Sequence, residues 1–196
     1  MSAIRYPLKN GTRATRFRRA LALIVLWTML TMSAQAVARP TMLWLRAPWG
    51  GLVAGALMGM LQWTALGSAL SGGGWWIAET SFALGLASFL QGRIAPEPAA
   101  ILTGALVGLG QWLVLRRTIK WSAHWILVSA AVAWPAASLA LVAVAWLTPR
   151  NSPMVAQVLA GALQGVLVGA GTGILLATLL PGEKSEPSNT LPSEAL

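Results

Sequence analysis

Six long apolar stretches without any Lys or Arg are the feature that most limits how this chain can fold. A helix needs roughly 20 mostly apolar residues to cross about 30 Å of hydrocarbon, and each stretch is near that length. The runs are continuous and lack the alternation of a membrane β-barrel. The sequence therefore predicts an all-α membrane protein with one domain of six transmembrane helices over residues 20–180. The stretches cover residues 20–37, 48–70, 75–92, 98–115, 124–147 and 154–180.

Composition excludes a water-soluble domain and most kinds of catalytic site. Charged residues make up 10% of the chain, against about 25% in ordinary soluble domains. Asp and Cys are absent and His124 is the single histidine, which excludes disulfides, thiolate chemistry and the usual Cys/His zinc sites. The sequence contains no nucleophile–base pair, phosphate-binding loop or metal-ligand cluster. We therefore expect a protein that is not an enzyme and binds no metal or cofactor.

The distribution of positive charge predicts the orientation in the membrane. With the N-terminus inside, ten of the fourteen Lys and Arg residues lie on the inner side, so both termini are expected in the cytoplasm of a bacterial inner membrane. Arg39 and Arg46 then fall in the first outer loop. The basic N-terminal segment, residues 1–19, is expected to meet anionic lipid headgroups rather than nucleic acid. The polar C-terminal tail, residues 181–196, is expected to be disordered.

The first apolar stretch also fits a secretory signal. Basic residues precede it, and Ala34, Gln35 and Ala36 match a small-x-small cleavage site. Cleavage after Ala36 would leave five spans and a mature chain that starts at Val37. A retained span is the favoured interpretation, because an apolar run of about 18 residues exceeds the usual apolar core of a signal.

An internal repeat links the even-numbered spans. Residues 55–66 read GALMGMLQWTAL and residues 104–115 read GALVGLGQWLVL, an offset of 49 residues. A third copy, GALQGVLVGAG at residues 161–171, keeps the glycines without the Gln-Trp pair. Two arrangements fit this pattern. Spans 1–2, 3–4 and 5–6 could form repeated helical hairpins, or spans 2–3 and 4–5 could do so with the sixth span as a half unit.

Small residues recur every four positions along the second, fourth and sixth spans and form a smooth strip on one face of each helix. Such strips, which resemble a glycine zipper, let helix backbones approach closely in a membrane. Packing of the repeated helices inside one subunit is the favoured interpretation, and self-association or a pore lining is the alternative. The glycines of the strips are Gly51, Gly55, Gly59, Gly104, Gly108, Gly161, Gly165, Gly169 and Gly173.

The few polar groups within the spans are the candidates for function. Glu79 is the only acid inside a span, and an intramembrane ionisable residue is a functional candidate by default. It is expected near the inner end of its helix, within reach of headgroups or of Arg116, Arg117 or Lys120. The glutamines are expected to bond between helices, and His124 lacks a second ligand for a haem. The candidates are Glu79, Gln62, Gln111, Gln157, Gln164 and His124.

The repeated segments carry a family resemblance. The segments GALMGMLQWTAL (55–66) and GALVGLGQWLVLRR (104–117), each with a second Trp 13 positions after its Gln-Trp tryptophan, resemble a group of bacterial integral-membrane proteins. Those proteins repeat a glycine-rich Gln-Trp-x-x-Leu-Arg hairpin. The resemblance covers roughly residues 50–180 and implies a membrane fold of repeated hairpins with no assigned catalytic residues. This chain departs from the pattern at residues 64–66, where no Arg follows, and in its third copy.

Two classes of function remain open from the sequence. A non-enzymatic structural or accessory subunit of a membrane complex is favoured, with membrane-protein partners or further copies of the chain. The reason is that a transporter places its ionisable groups near the midplane, whereas Glu79 is expected near an end of its helix. The alternative is a small transporter, channel or membrane sensor that uses Glu79 and the intramembrane glutamines.

Overall fold

The structure is a computed structural model that describes residues 13–66, 73–90, 93–119, 122–148 and 152–180. These ranges contain six α-helices and no strand. The expectations for the first 12 residues of the basic N-terminal segment and for the tail at residues 181–196 lie outside the described residues. The helices are α1 (Arg13–Leu45), α2 (Trp49–Leu66), α3 (Gly73–Leu90), α4 (Pro96–Leu115), α5 (His124–Leu147) and α6 (Pro153–Leu179).

Four of the six helices are long and apolar enough to cross a membrane. Large apolar side chains cover the outer surface, as at Leu127 and Val142, which are 69% and 65% exposed. Such a surface suits lipid rather than water as the surrounding solvent. The predicted all-α, multi-pass membrane fold is therefore confirmed, and α2 and α3, with 18 residues each, complete the bundle. The four candidate spans are Phe17–Leu45, Glu97–Leu115, His124–Leu147 and Pro153–Leu179.

The six helices form a ring in which each helix packs on the next and α6 returns to α1. The most extensive contacts join α1 to α6, α2 to α3 and α4 to α5, and the least extensive join α3 to α4. The second span thus packs most extensively on the third and the fourth on the fifth, the pairing of one of the two arrangements that fit the sequence. The sixth span, a half unit in that arrangement, packs most extensively on α1.

Glycines allow the helix backbones to approach closely at these three extensive interfaces. A Cβ atom added at Gly55 in α2 would lie 2.5 Å from the Cα atom of Ser81 in α3. One added at Gly169 in α6 would lie 2.8 Å from the Cα atom of Thr28 in α1, and one added at Gly108 in α4 would lie 3.0 Å from the Cα atom of Ile126 in α5. A side chain at these positions would require the neighbouring backbone to move. Each strip of small residues thus faces another helix of the same chain.

Helix α1 is longer than the sequence predicted. The expected span ended at residue 37 and left Arg39 in an outer loop, but the helix continues to Leu45 with Pro40 inside it. A proline removes one backbone hydrogen bond, which transmembrane helices tolerate when neighbouring groups compensate for the loss. Helix α6 packs along this part of α1, where Gly161 lies against Gln35. The expectation for Arg39 was therefore wrong, because its side chain projects from a packed helix.

Candidate functional site: an axial cavity and a lateral groove

Three tryptophans, spaced by 49 residues along the chain, meet at one end of the bundle. The side chains of Trp27, Trp76 and Trp125 are fully buried. Their ring centroids lie 6.0 to 6.4 Å apart and their planes cross at 62° to 78°, the edge-to-face geometry that aromatic rings favour. Three fully buried leucines from the even-numbered helices join the same cluster. We call these six residues the tryptophan plug: Trp27, Trp76, Trp125, Leu66, Leu115 and Leu176.

A layer of buried amides and hydroxyls lies about one turn beyond the tryptophans. Trp125 Nε1 donates to Gln111 Oε1 at 2.9 Å, and Gln111 Nε2 donates to Gln62 Oε1 at 2.9 Å. The two glutamine amides also donate to hydroxyls 31 residues before them, Thr80 and Thr31, each at 3.3 Å. The glutamines therefore bond between helices, as the sequence predicted. We call the following six residues the polar layer: Thr31, Thr80, Ser129, Gln62, Gln111 and Thr172.

The third helix pair, α6 with α1, follows the other two in a register that the sequence did not predict. Gly104 in α4 packs on the hydroxyl residue of α5, and Gly165 packs on the matching Thr31 of α1. The sequence had matched Gly161 to Gly104 instead. A shift of four residues is about one helical turn, and it preserves the glycine spacing, so the glycine pattern alone cannot reveal it. In the structural register Thr172 stands where the other pairs have glutamine.

The tryptophan indoles differ in whether they find an acceptor. Trp27 Nε1 donates to Thr172 Oγ1 at 2.9 Å, in the same way that Trp125 donates to the polar layer. Trp76 Nε1 is buried and has no hydrogen-bond partner among the residues that the structure describes. The glutamine in the matching position, Gln62, already accepts from Gln111 through its carbonyl oxygen. An otherwise repeated arrangement thus leaves one buried donor unsatisfied.

A cavity of about 60 Å³ lies on the bundle axis, on the side of the polar layer away from the plug. Its far wall includes Gln164 and Thr103, each eight residues before the polar-layer residue of its own helix, or about 12 Å along the helix. Leu84 and Met58 are among its apolar lining residues. None of the residues that line this axial cavity is acidic. Its polar lining residues are Gln35, Gln62, Thr103, Gln111, Ser129, Gln164 and Thr172.

Arg39 lies beside the far wall of the axial cavity. Its Nε atom donates to Gln164 Oε1 at 3.0 Å, and its Nη1 atom donates to Gln157 Oε1 at 3.1 Å. The two glutamines are seven residues apart and share one face of α6, as the sequence predicted. Sequence reasoning missed Arg39 because the expected spans were apolar stretches without Lys or Arg, so Arg39 fell in an outer loop. The two glutamines on one face of an apolar helix are the sequence signal that could have indicated a donor opposite them.

A second opening, of about 380 Å³, is a lateral groove between α3 and α4. It is lined almost wholly by apolar side chains, including Leu106, Leu109 and the exposed Phe82. Among the described residues, Glu79 is the only charged one in its lining. The Oε2 atom of Glu79 is buried and has no hydrogen-bond partner within the described part of the chain, and Gly110 opposite leaves room for the carboxyl group. The groove therefore combines an apolar wall with one unsatisfied acceptor.

Glu79 interacts with the arginines after α4 by longer-range electrostatics and not by the expected ion pair. Arg117 and Arg116 are close enough to act on the charge of Glu79, but the described residues contain no ion pair between them within 4 Å. Lys120, the third expected partner, lies outside the described residues. The two arginines follow the last residue of α4, and the guanidinium of Arg116 lies 5.1 Å from the Trp112 ring centroid.

The structure brings some of the predicted site residues together and separates others. Gln62, Gln111 and Gln164 line the axial cavity, whereas Glu79 lines the groove. His124 is exposed at the start of α5 and lines neither opening. Within the described residues, no group of three His, Cys, Asp or Glu side chains could hold a metal ion. Comparison with known protein families, curated proteins and solved structures gives no match.

Proposed function

We propose that this chain is a non-enzymatic accessory or structural subunit of a bacterial inner-membrane complex, and that a transmembrane helix of a partner subunit occupies the α3–α4 groove. The observation that carries the proposal is the Glu79 carboxylate, whose Oε2 atom is buried without a hydrogen-bond partner in an apolar groove. Leaving a buried carboxylate oxygen unpaired is unfavourable, more so in a membrane. A donor on a neighbouring helix would remove that penalty.

The groove favours a helix over a lipid chain as its occupant. It lies at the least extensively packed of the six helix contacts, and exposed aromatic side chains, Trp75 and Phe82, border it. A lipid acyl chain would cover the apolar wall but would bring no donor to Glu79. A partner helix with Lys, Arg, Trp, Ser or Thr at this level would supply both the apolar cover and the hydrogen bond.

The remaining features of the proposal come from the sequence. Six spans with both termini in the cytoplasm follow from the positive-inside rule, and the basic N-terminal segment would meet anionic headgroups. Internal triplication of a helix pair accounts for the spacing of 49 residues between matching tryptophans and hydroxyls. Glycine-zipper packing within one subunit accounts for the strips. The resemblance to the repeated-hairpin proteins agrees with both features.

Site-directed photocrosslinking in membranes tests the docking proposal. A photoreactive residue at Leu109, in the groove, should crosslink to a transmembrane helix that carries a donor opposite Glu79. The same residue at Leu127, exposed on α5 outside the groove, is the matched control and should crosslink to lipid only. Glu79→Ala should lower the protein crosslink about tenfold, since hydrogen bonds to charged groups contribute about 1.5–3 kcal/mol.

Two results would contradict the docking proposal. Lipid adducts alone at Leu109 would mean that lipid covers the groove. Undiminished crosslinking in Glu79→Ala would mean that the carboxylate does not select the occupant. A crosslink between two copies of the chain at Leu109 would replace the partner subunit with a homo-oligomer.

A small transporter, channel or membrane sensor is the second candidate, and the axial cavity is the observation that favours it. Polar side chains line this cavity inside an otherwise apolar bundle, and the tryptophan plug closes one end of it. A binding pocket or sensor therefore fits better than an open channel. Glu79 would take no part in it, since it lines the groove.

A further inference from the structure

We propose that the axial cavity binds one small monatomic anion, of the size of chloride, which reaches it from the Arg39 end of the bundle. The proposal rests on the second candidate function above and adds the chemical class of the solute. It is independent of partner docking, because the groove and the cavity share no lining residue. Three observations support it: the direction of the hydrogen bonds, the sign of the nearby charge, and the size of the space.

Groups that can only donate hydrogen bonds fix the orientation of the amides around the cavity. A guanidinium and an indole N–H have no acceptor atom, so the atom of Gln164 that faces Arg39 and the atom of Gln111 that faces Trp125 must be carbonyl oxygens. Gln111 then presents its amide nitrogen to Gln62, whose carbonyl oxygen must accept. Each of these three carbonyl oxygens therefore already accepts a hydrogen bond from another protein group.

What remains for the cavity is an excess of donors. Gln164 lines the cavity with its carbonyl turned to Arg39, so its two amide N–H groups are available to a ligand. The amide of Gln62 uses one of its two N–H groups on Thr31. The Ser129 hydroxyl adds a further donor to the lining. Three of the four glutamines in the lining thus turn their carbonyl oxygens to other protein donors, and the fourth, Gln35, makes none of these bonds and can turn its N–H groups towards a ligand. A lining that offers N–H groups in this way favours an anion over a cation.

The nearest charge has the sign that an anion requires. Arg39 is partly buried and bonds only to the neutral Gln157 and Gln164, and the described residues contain no carboxylate within 4 Å of it. A cation held away from water without a counter-charge is unfavourable, so a bound anion would stabilise this end of the bundle. Helices α2, α4 and α6 also begin at this end, and their N-termini carry partial positive charge.

The size of the cavity suits a small ion. By the measure that gives about 60 Å³ here, about 10–15 Å³ suffices for one water molecule. The cavity thus has room for one monatomic anion with a few waters. The tryptophan plug blocks onward movement, which makes the cavity a binding site with one open end.

Binding of radiolabelled chloride to the purified protein in detergent or nanodiscs, with gluconate as the competing anion, tests the proposal. We expect saturable binding that Arg39→Gln weakens about tenfold or more, and that Arg39→Lys, which keeps the charge, largely retains. Arg93→Gln is the matched control, because Arg93 is exposed after the end of α3 and donates to the Phe89 carbonyl oxygen of that helix. Gln164→Met, which removes the free amide at similar size, should also weaken chloride binding.

The outcomes separate this inference from the function on which it rests. Chloride binding that is undiminished in both Arg39→Gln and Gln164→Met would place the anion elsewhere and overturn the inference. Saturable binding of labelled sodium that Gln164→Met abolishes, without chloride binding, would keep a solute-binding cavity and overturn its anion class. Absence of saturable binding of either ion to the folded wild-type protein would overturn both.

Discussion

The two ends of the helix bundle differ in how closely the three helix pairs match one another. At the plug end the odd-numbered helix of each pair contributes one buried Trp and one buried hydroxyl residue, and the even-numbered helix contributes one buried Leu. At the other end the matching positions diverge. The position of Arg39 is taken by Ser88 in α3 and by Ala137 in α5, at successive offsets of 49 residues. One backbone arrangement therefore carries like side chains at one end and unlike side chains at the other.

This difference separates residues that packing explains from residues that it does not. The plug is a close apolar cluster, and burial of large aromatic side chains with edge-to-face contacts is a sufficient reason for it. Packing alone does not require Arg39, since the other pairs use Ser or Ala at the same place. A half-buried positive charge has to be offset by its surroundings. The divergent end is therefore where a ligand is expected, and the plug end is its support.

Removal of α1 would have the largest effect on this comparison. Signal cleavage after Ala36 would delete Trp27 and Thr31. The tryptophan plug would then lose the residue that α1 contributes, and Thr172 would lose the indole N–H that donates to it. We expect the mature chain to retain α1, which intact-mass measurement of the purified protein would detect. Reporter fusions at residues 10, 95, 119 and 190 should read inside, outside, inside and inside, with the plug end towards the cytoplasm.

A mature N-terminus at Val37 would break the comparison, because only two of the three pairs would then be complete. A periplasmic signal from the fusion at residue 119 would instead reverse the bundle, and Arg39 would face the cytoplasm.

A substitution within a glycine strip should have the next largest effect. In Gly165→Leu the Cβ atom would lie 2.7 Å from the Thr31 carbonyl oxygen, and this contact is with backbone. We expect a loss of more than about 4 kcal/mol of unfolding free energy, or failure to fold. Gly74→Leu is the matched control, because a Cβ there meets nothing within 4 Å. Thermal unfolding of the detergent-solubilised monomer measures both.

A different result would contradict this prediction: Gly165→Leu could leave the monomer as stable as the Gly74→Leu control and only dissociate an oligomer. The glycine strips would then belong to an interface between subunits.

The two tryptophans of the plug that differ in hydrogen bonding provide a finer test. Trp125→Phe removes the donor to Gln111 and leaves a buried carbonyl oxygen without a partner, a loss of about 1–3 kcal/mol. Trp76→Phe removes an indole that has no partner, so it should cost only the lost ring contacts. We expect Trp125→Phe to lower the unfolding free energy about 1–3 kcal/mol more than Trp76→Phe. Equal losses would mean that Trp76 has an acceptor such as a buried water molecule.

The sequence predicted the parts of the fold that follow from periodicity. Long apolar runs, the offset of 49 residues and the four-residue glycine spacing led to an all-α bundle with closely packed helices. They could not reveal the register of the third pair, because a shift of one helical turn superimposes glycine on glycine. Thr172 was missed for that reason, since nothing in the pattern marks it as the counterpart of Gln111.

The candidate site was predicted less completely than the fold, because it depends on contacts between distant residues. The glutamines were singled out by their polarity within apolar spans. Arg39 was assigned to a loop because the expected spans contained no Lys or Arg, and only the packing of α6 along α1 explains why the helix continues. Glu79 and the glutamines were treated as one candidate set. In the helix ring, however, Glu79 lines the lateral groove, whereas Gln62, Gln111 and Gln164 line the axial cavity.

The smallest effect is expected for Glu79→Gln, which compares the groove with the axis. Among the described residues, the Oε2 atom of Glu79 has no hydrogen-bond partner, and Arg116 and Arg117 act on its charge only at longer range. Loss of the charge therefore removes little electrostatic attraction. It also removes part of the free-energy cost of burying the charge. We expect insertion and folding to be normal, with a change in unfolding free energy of about 1 kcal/mol or less.

The reverse exchange on the axis, Gln111→Glu, replaces the amide donor to Gln62 with a buried charge and should lower the unfolding free energy by about 3 kcal/mol or more. Denaturation of both variants in mixed micelles measures the contrast. A Glu79→Gln variant that unfolds as readily as Gln111→Glu, and that also loses a proton- or cation-dependent flux in liposomes, would assign the transport function to the groove and would leave the axis with packing alone.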